Sequence, residues 1–413
     1  MDITKIKEIE GAVGSPFYLL NIEQYKENLT LFKKAFLKRY SNLIVGYSFK
    51  TNYLPTLCCT AKDLGVYAEV VSRFEYDLAL HLGFKGNSII FNGPIKRTQD
   101  IYFALDNHSI INIDSYQELE SVISYRAENL FSEIEIGLRI NIDLKDEKGE
   151  SHVQSGLREG RFGFAQDGLS KVIKRLRDNN ITVVSLHGHT SSSDRAIANY
   201  GIICNQLLLL VKRFKLNQIK YFNVGGGFFG AAAKGIDVAN KPSYEDYANY
   251  ICSILLGDEW FKKVQPFIVI EPGVSVVANT LSFISKIYEI KKINDKKFIV
   301  IDGSVYDIKP TMHSNNLPHQ FITSNECIVS DGFDADVVGS TCMEKDVILK
   351  NIKANCVVGD YIKFDGIGAY TIVMTPTFIN TFSPILIQTK KGFQVVRRRQ
   401  TLQDFLSVYN IEE

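Results

Sequence analysis

Short apolar runs alternate with longer amphipathic segments from about residue 40 to residue 272. In the amphipathic segments, such as GLSKVIKRLRDN at 168–179, apolar residues recur at three and four positions, which is the spacing of a helix. The apolar runs are shorter and predict buried strands. The eight runs lie at 43–49, 66–71, 88–92, 109–113, 134–141, 181–188, 219–224 and 267–272.

Strands that alternate with helices imply a parallel sheet, because each helix carries the chain back before the next strand begins. Eight such units match the number in a (β/α)8 barrel, the TIM barrel. An open doubly wound sheet is the alternative, although that architecture more often has about five or six strands. We therefore expect an α/β protein with a TIM barrel over residues 22–280.

The pattern changes after about residue 280, where runs such as KKFIVIDG and CVVGDYIKFDG are separated by turn residues and helical spacing is rare. Such a pattern is typical of an all-β domain, which we expect at 281–413. The early run SPFYLLN at 15–21 predicts another strand. We expect residues 1–21 to join the β domain before the barrel begins.

Composition and charge exclude several classes of protein. The 413 residues are 45% hydrophobic, enough for a large core, and the net charge of +1 offers no basic field for nucleic acid. No apolar stretch approaches the roughly 20 residues that span a bilayer, and the first residues lack a secretory signal. The seven cysteines include no CxxC pair, so we expect reduced thiols, a cytoplasmic location and no metal site.

Polar residues and glycines gather where the predicted strands end, which in a TIM barrel is the functional face. They are Lys50, Glu69, Arg139, His189, Gly225, Gly226, Gly227 and Glu271. Each has an ordinary explanation by itself: a lysine reaching solvent, a structural histidine, a flexible turn or a surface acid. Together, an amine for a Schiff base, glycines that admit a phosphate and a carboxylate for a ring nitrogen indicate pyridoxal 5'-phosphate.

Several motifs resemble those of the fold-type III pyridoxal-phosphate decarboxylases, the diaminopimelate, ornithine and arginine decarboxylases related to alanine racemase. YSFKTN resembles Y-A-x-K-A/T-N, which implies that Lys50 carries the cofactor. AEVVSRFEYDLAL resembles D-x-x-S-x-x-E-L, with Glu69 where an aspartate is usual. LHGHTSSS resembles H-x-H-I-G-S, so that His189 would stack on the ring and Ser192 would contact phosphate. NVGGGF resembles the phosphate-binding G-G-G-F, and IEPG the segment whose glutamate, here Glu271, meets the pyridine nitrogen.

The resemblance extends into the predicted β domain. GSTCMEKDVI resembles G-P-x-C-[ED]-x-x-D, and GIGAYT resembles the G-A-Y motif, whose tyrosine, here Tyr370, contacts phosphate. In the family the cysteine segment reaches the site of the partner subunit. The resemblance therefore implies a homodimer with shared active sites, in which Cys342 is catalytic together with Lys50 and His189.

Other positions depart from the family pattern on the substrate side. The family's E-P-G-R is EPGV here, R-P-x-L-Y is KPTMH, and the acid after the cysteine is Met343, with Glu344 one position on. Because that acid helps to bind a distal ammonium in relatives, we expect an amino-acid conjugate, as in siderophore- or peptide-antibiotic-type biosynthesis. The residues expected to bind substrate are Arg139, Lys309, His313, Met343 and Glu344.

The predicted function is that of a pyridoxal-phosphate-dependent carboxy-lyase that removes the α-carboxylate of an amino acid or amino-acid conjugate. Three alternatives remain open. The first is a diaminopimelate or basic amino-acid decarboxylase. The second is an amino-acid racemase on the same barrel, and the third is a non-catalytic regulator that mimics a decarboxylase subunit.

Overall fold

The computed structural model describes residues 2–131, 133–145, 149, 153, 157, 159–189, 194–236, 240–323, 332–389 and 392–410. This part of the chain forms two compact units. The β unit contains Met1–Tyr25, Ala231–Val238 and Val277–Glu413. The barrel unit contains Lys26–Gly230 and Ala239–Val276. The β unit is therefore assembled from three separate segments of the sequence.

Strands and helices follow one another in a regular order. The strands are β1 (Phe17–Leu20), β2 (Leu43–Ser48), β3 (Tyr67–Val70), β4 (Ile89–Phe91), β5 (Ile110–Ile113), β6 (Ile134–Ile140), β7 (Ile181–Gly188), β8 (Tyr221–Asn223), β9 (Phe267–Ile270), β10 (Leu281–Ile293), β11 (Lys296–Ile301), β12 (His319–Ile322), β13 (Phe333–Val338), β14 (Val347–Ala354), β15 (Tyr361–Asp365), β16 (Ile385–Thr389) and β17 (Gly392–Arg397). The helices are α1 (Ile3–Val13), α2 (Ile22–Leu37), α3 (Pro55–Asp63), α4 (Arg73–His81), α5 (Thr98–Asp106), α6 (Tyr116–Glu128), α7 (Leu169–Asp178), α8 (Ile197–Arg213), α9 (Tyr244–Gly257), α10 (Glu259–Val264), α11 (Val274–Val277), α12 (Val305–Ile308), α13 (Thr371–Met374) and α14 (Leu402–Leu406).

Within the described residues, strands β2 to β9 form a closed barrel of eight parallel strands. Each strand pairs with the next, and β9 pairs with β2 to close the sheet. The prediction of a TIM barrel is confirmed, and the open doubly wound sheet is excluded because that sheet would leave two edges. All eight observed strands lie within the predicted apolar runs.

The helices of the barrel bury the apolar stripe that their spacing predicts. In α7 the buried residues fall three or four positions apart, on one face, and are Leu169, Val172, Ile173 and Leu176. Serine side chains accept the N–H of the residue three positions on at the starts of α4, α6 and α9, and thereby cap those helices. No helix among the described residues combines the length and the apolar character required to cross a membrane.

The β unit contains a sheet of nine strands among its described residues, in the order β14-β13-β11-β10-β1-β16-β17, with β15 paired to β10 and β12. Strand β1 is parallel to β16 and antiparallel to β10. The early run therefore lies in the β unit. The sheet is mixed, since β11 and β13 are also parallel, and helices α1, α12, α13 and α14 accompany it.

Candidate functional site

A cavity of about 450 Å³ opens at the carboxyl ends of the barrel strands. Its lining includes five residues predicted from the sequence, and each comes from a different strand or from the turn that follows it. These residues are Lys50, Glu69, Arg139, His189 and Glu271. The closure of the barrel brings together side chains that are more than two hundred positions apart in the chain.

The lysine is held by a buried acid beneath it. Lys50 lies in the 3₁₀ turn Phe49–Thr51, directly after β2. Its Nζ donates to Glu69 Oε2 at 2.6 Å and to Ser48 Oγ at 2.7 Å. The Ser48 hydroxyl donates to the same Glu69 oxygen. The amine is therefore directed into the cavity by a carboxylate and a hydroxyl.

One amide joins the two buried carboxylates of the site. Asn92 Nδ2 donates to Glu69 Oε1 at 3.0 Å and to Glu271 Oε1 at 2.8 Å. Asn223 Nδ2 donates to the same Glu271 oxygen at 2.7 Å. Both carboxylates and both asparagines are buried. The amide donors compensate for the water that the acids lose on folding.

The Glu271 carboxyl stays ionised although it is buried. Burial by itself raises the pKa of Glu271, but the nearby His187 and Lys50 and the hydrogen bond from Asn223 outweigh it, so its pKa lies below the ordinary range. A buried anion at this position can hold a protonated heterocyclic nitrogen. The role of Glu271 at the pyridine nitrogen stays a prediction.

Beneath the carboxylates, polar side chains continue through the interior of the barrel. Asn112 Nδ2 donates to Asn92 Oδ1 at 2.8 Å, and Ser185 Oγ donates to Asn112 Oδ1 at 2.8 Å. Gly137 makes room for this layer, because a Cβ there would lie 1.9 Å from Asn112 Oδ1. The acids therefore rest on a continuous set of hydrogen bonds.

Two histidines, His187 in β7 and His189 directly after it, point to the same side, as residues two apart in an extended chain do. His187 Nε2 lies 3.3 Å from Glu271 Oε2 and 3.5 Å from Arg139 Nη1. His189 Nδ1 accepts the backbone N–H of Gly226 at 3.0 Å. Burial lowers the pKa of both imidazoles, and the charge of Arg139 lowers it further. Burial therefore disfavours the protonated form of both rings, most strongly for His189, while Glu271 opposes this effect at His187.

The three glycines after β8 are packed closely against this histidine. Gly225 and Gly227 have φ of +74° and +91°, a region that favours glycine. A Cβ on Gly225 would lie 2.4 Å from His189 Cβ. The N–H of Gly225 donates to Asn223 Oδ1 at 2.8 Å, while that of Gly226 is taken by His189. These contacts argue against a simple flexible turn and assign two N–H groups to protein acceptors.

One wall of the cavity is formed by the segment after β6. Asn141 Nδ2 donates to the carbonyls of Gly160 and Phe162 at 2.7 and 2.8 Å, which fixes this segment at the strand end. Arg161 and Phe162 line the cavity, and Asp114 lines it from the end of β5. The wall therefore presents an acid, a cation and an aromatic ring.

In the β unit, Cys342 is exposed on a loop that an aspartate organises. Asp346 accepts the Thr341 N–H at 3.0 Å and the Thr341 hydroxyl at 2.6 Å. Within the same loop, the sulfur of Met343 lies 3.3 Å from the hydroxyl of Tyr306. The final acid of the predicted cysteine motif thus shapes the loop that carries the cysteine.

The other predicted residues of the β unit differ in exposure. Lys309 is buried and burial lowers its pKa, whereas His313 and Glu344 are exposed. Tyr370 is half-buried and has φ of +63°. Ser192, the predicted phosphate contact, lies outside the described residues. The roles of all these residues stay predictions.

Sequence reasoning missed several polar residues of the site. The missed side chains Asn92, Asn112, Asn223, His187 and Asp114 lie in the barrel interior or in the cavity wall. The sequence feature that could have identified them is a single polar residue inside or just after an apolar strand, as in SIINI and YFNV. Such a residue is costly to bury unless it is hydrogen-bonded, so it marks a position that faces a polar site.

The residues present fit pyridoxal 5'-phosphate. Arg139 Nε and His187 Nδ1 are buried without a hydrogen-bond partner among the described residues, and both side chains line the cavity. Buried polar atoms of this kind require a partner, and a polar ligand can supply it. The Lys50 amine can form a Schiff base, and the ionised Glu271 can hold a protonated ring nitrogen.

Comparisons with known proteins agree with this fit. Residues 23–278 match the family model described as "Pyridoxal-dependent decarboxylase, pyridoxal binding domain". The probable chloroplastic diaminopimelate decarboxylase of Oryza sativa subsp. japonica is 28% identical, with 97% of this chain and 82% of that protein covered. The diaminopimelate decarboxylase of Archaeoglobus fulgidus is also 28% identical, with 99% and 96% covered. The crystal structure of the Helicobacter pylori diaminopimelate decarboxylase complexed with L-lysine is 25% identical, covers 98% of both chains and has a TM-score of 0.82.

Proposed function

Because the chain belongs to the pyridoxal-dependent decarboxylases, we propose that it releases the α-carboxylate of a diamino acid of the diaminopimelate type. The chain is a carboxy-lyase that uses pyridoxal 5'-phosphate and acts on an amino acid. The observation that supports the proposed reaction site is the cavity that both the Lys50 amine and the ionised Glu271 line. The diaminopimelate relatives, matched along nearly the whole chain, support the substrate class.

The residues of the cavity have separate tasks in this proposal. Lys50 would hold the cofactor covalently, and Glu271 would keep its ring nitrogen protonated. When bound, pyridoxal phosphate supplies the electron sink for the pair left by the departing carboxylate. His189 would stack on the ring of the cofactor, and either Cys342 or Lys50 would deliver a proton to the α-carbon of the substrate.

The amino-acid conjugate that the sequence predicted is the second candidate substrate. Met343 stands where the family has an acid, and its sulfur contacts the hydroxyl of Tyr306. The absence of an acid at this position of the motif is what supports an uncharged distal group. The relatives favour the diaminopimelate alternative over it. The racemase and the non-catalytic regulator find no support in these comparisons, since the relatives are decarboxylases.

Mass spectrometry of reaction mixtures tests the proposal. The purified holoenzyme is incubated with meso-diaminopimelate, lysine, ornithine, arginine and N-acylated lysine, and loss of CO₂ is monitored. We expect turnover of diaminopimelate to lysine. Turnover of the acylated compound alone would favour the second candidate, and turnover of none would refute both. Lys50→Ala is the control, since it removes the visible absorption band and the activity together.

We also propose that the enzyme is a homodimer with shared sites, as the resemblance of the cysteine segment implies. If Cys342 serves the site of the partner subunit, Lys50→Ala and Cys342→Ala chains regain activity when they are mixed and allowed to exchange. A mixed dimer then contains one site in which neither residue is replaced. Inactive mixtures, with exchange verified by differently tagged chains, would contradict shared sites.

A further inference from the structure

The wall of the cavity carries two opposite charges that the proposed chemistry has not used. They belong to Asp114, directly after β5, and to Arg161, in the segment after β6. Both side chains line the same cavity as the Lys50 amine. Neither was selected from the sequence. Their placement on neighbouring strand ends makes them candidates for contact with the end of the substrate that does not react.

The backbone of Asp114 is held in position, and the charges of the nearby Lys96 and Arg139 act on its carboxylate without a direct ion pair among the described residues. Its backbone N–H donates to Glu118 Oε2 at 2.8 Å. The same Glu118 oxygen pairs with the buried Lys96 Nζ at 2.9 Å, and Glu118 Oε1 accepts the Lys96 N–H at 2.8 Å. Within the described part of the chain, the Asp114 side chain itself forms no hydrogen bond and no ion pair. A half-buried anion that faces a cavity can therefore accept a cation from a ligand.

The Arg161 guanidinium is also held without a carboxylate. It lies 4.4 Å from the centre of the Phe162 ring, and Asn141 fixes the backbone of that segment through Gly160 and Phe162. No ion pair of Arg161 occurs among the described residues. A guanidinium that is oriented by a ring keeps its N–H groups available for a carboxylate.

The buried arginine of the cavity serves another purpose. Arg139 is 8% exposed and one of its terminal N–H groups donates to the His189 carbonyl. It lies beside His187, and the charges of Glu271 and Asp114 act on it. Asp114 and Arg161 also line the cavity, and the hydrogen bonds of Arg139 do not involve their side chains.

We infer that Asp114 binds a distal ammonium and Arg161 a distal carboxylate, so that the pair selects substrates whose side chain ends in an amino-acid group. This assignment rests on the proposed function and names the groups that recognise its substrate. It places the recognition of the distal end within the barrel unit. Both residues determine specificity and take no part in bond breaking.

Four compounds test the pair because they differ only at the distal end. meso-Diaminopimelate has both distal charges, L-lysine has only the ammonium, L-2-aminopimelate has only the carboxylate, and L-norleucine has neither. For each compound, kcat/KM for CO₂ release is measured with the holoenzyme and with Asp114→Asn and Arg161→Gln. A charge-assisted hydrogen bond predicts losses of about 10- to 100-fold, mainly in KM.

The two variants have opposite expected patterns. Asp114→Asn lowers kcat/KM for diaminopimelate and lysine and leaves aminopimelate and norleucine within about threefold, a change too small for a lost charged contact. Arg161→Gln lowers kcat/KM for diaminopimelate and aminopimelate and spares the other two. Asp178→Asn and Arg213→Gln, exposed charges on α7 and α8, are the matched controls and change none of the four.

Equal losses for all four compounds would assign Asp114 or Arg161 a structural role and overturn the inference, as would the absence of any change. Asp114→Ser is the second variant if Asp114→Asn does not fold. Calorimetric binding of the four compounds separates this inference from the proposed function. If the holoenzyme releases no CO₂ but binds diaminopimelate and lysine more tightly than Asp114→Asn does, the proposed function fails and the recognition stands. If it binds none of the four, both fail.

Discussion

Replacement of Gly137 by alanine tests whether the polar layer inside the barrel is a rigid support for the site. A Cβ on Gly137 would lie 1.9 Å from Asn112 Oδ1 and 2.7 Å from Ser185 Cβ. Both neighbours are buried, and β6 pairs with both β5 and β7, which prevents the backbone from moving away. The Asn112 amide has to rotate, and it then loses its hydrogen bonds to Ser185 and Asn92.

The cost follows from these contacts. Each neutral hydrogen bond contributes about 1 kcal/mol net, and a buried amide left without partners costs about 1–3 kcal/mol. Crowding by one methyl group in a packed interior adds about 1–3 kcal/mol. The sum is about 4–8 kcal/mol, and even its lower limit lowers the melting temperature by about 10 °C in a unit the size of the barrel.

Calorimetric melting of the apoprotein measures the change. The matched control is Gly257→Ala, at the end of α9, where a Cβ would meet nothing within 4 Å. Exposed substitutions change the free energy of unfolding by about 0.5 kcal/mol or less, so the melting temperature of this variant should differ from that of the wild type by less than about 2–3 °C. Gly137→Ala with Asn112→Ala should melt higher than Gly137→Ala alone, because the colliding oxygen is gone. A Gly137→Ala protein that melts like wild type would refute the rigid layer.

Three further changes probe other buried charges. Burial raises the pKa of Glu75 from 4.5 to about 7. Between these two pH values the folded chain keeps a proton that the unfolded chain releases. The free energy of unfolding should therefore fall by about 3 kcal/mol as pH rises from 4.5 to about 7. Glu75→Gln should abolish this slope in melting temperature against pH, and parallel curves for the two proteins would contradict it. Lys96→Met leaves the Glu118 carboxylate buried without its cation and should cost about 3–5 kcal/mol in urea unfolding, whereas an unchanged midpoint would show that the pair is dispensable. Asp346→Ala removes the acceptor that closes the Cys342 loop, so it should speed alkylation of Cys342 by iodoacetamide, and an unchanged rate would argue against a role in shaping that loop.

The architecture of the barrel unit could be predicted because its strands are buried on both faces. Such strands appear in the sequence as apolar runs, and the helices between them keep the 3.6-residue spacing. Parallel strands also end on one face, so a residue at a strand end has a predictable neighbourhood. For this reason Lys50, Glu69, Arg139, His189 and Glu271 could be grouped from spacing alone, and the cavity contains all five.

The hydrogen bonds inside the barrel could not be predicted in the same way. Asn92 contacts Glu69, Glu271 and Asn112, and this set depends on the stagger of neighbouring strands and on the space that Gly137 leaves. Periodicity reports which face a residue occupies, but it does not report the partner on the next strand. The same reason explains why the N–H groups of the glycine loop, expected to face a phosphate, partly serve protein acceptors.

The choice between the two candidate substrates depends on where the distal charge is recognised. The sequence favoured an uncharged distal group because Met343 replaces an acid, but that argument considers one position of the family motif. Specificity is a difference in transition-state binding, to which any group that reaches the substrate contributes. Asp114 offers a carboxylate in the barrel unit, so the missing acid does not by itself remove affinity for a diamino acid. An enzyme for amino-acid conjugates has no distal ammonium to lose, and its turnover of those conjugates should not change in Asp114→Asn. An enzyme for diamino acids should lose about 10- to 100-fold in kcat/KM, and this single comparison separates the two candidates.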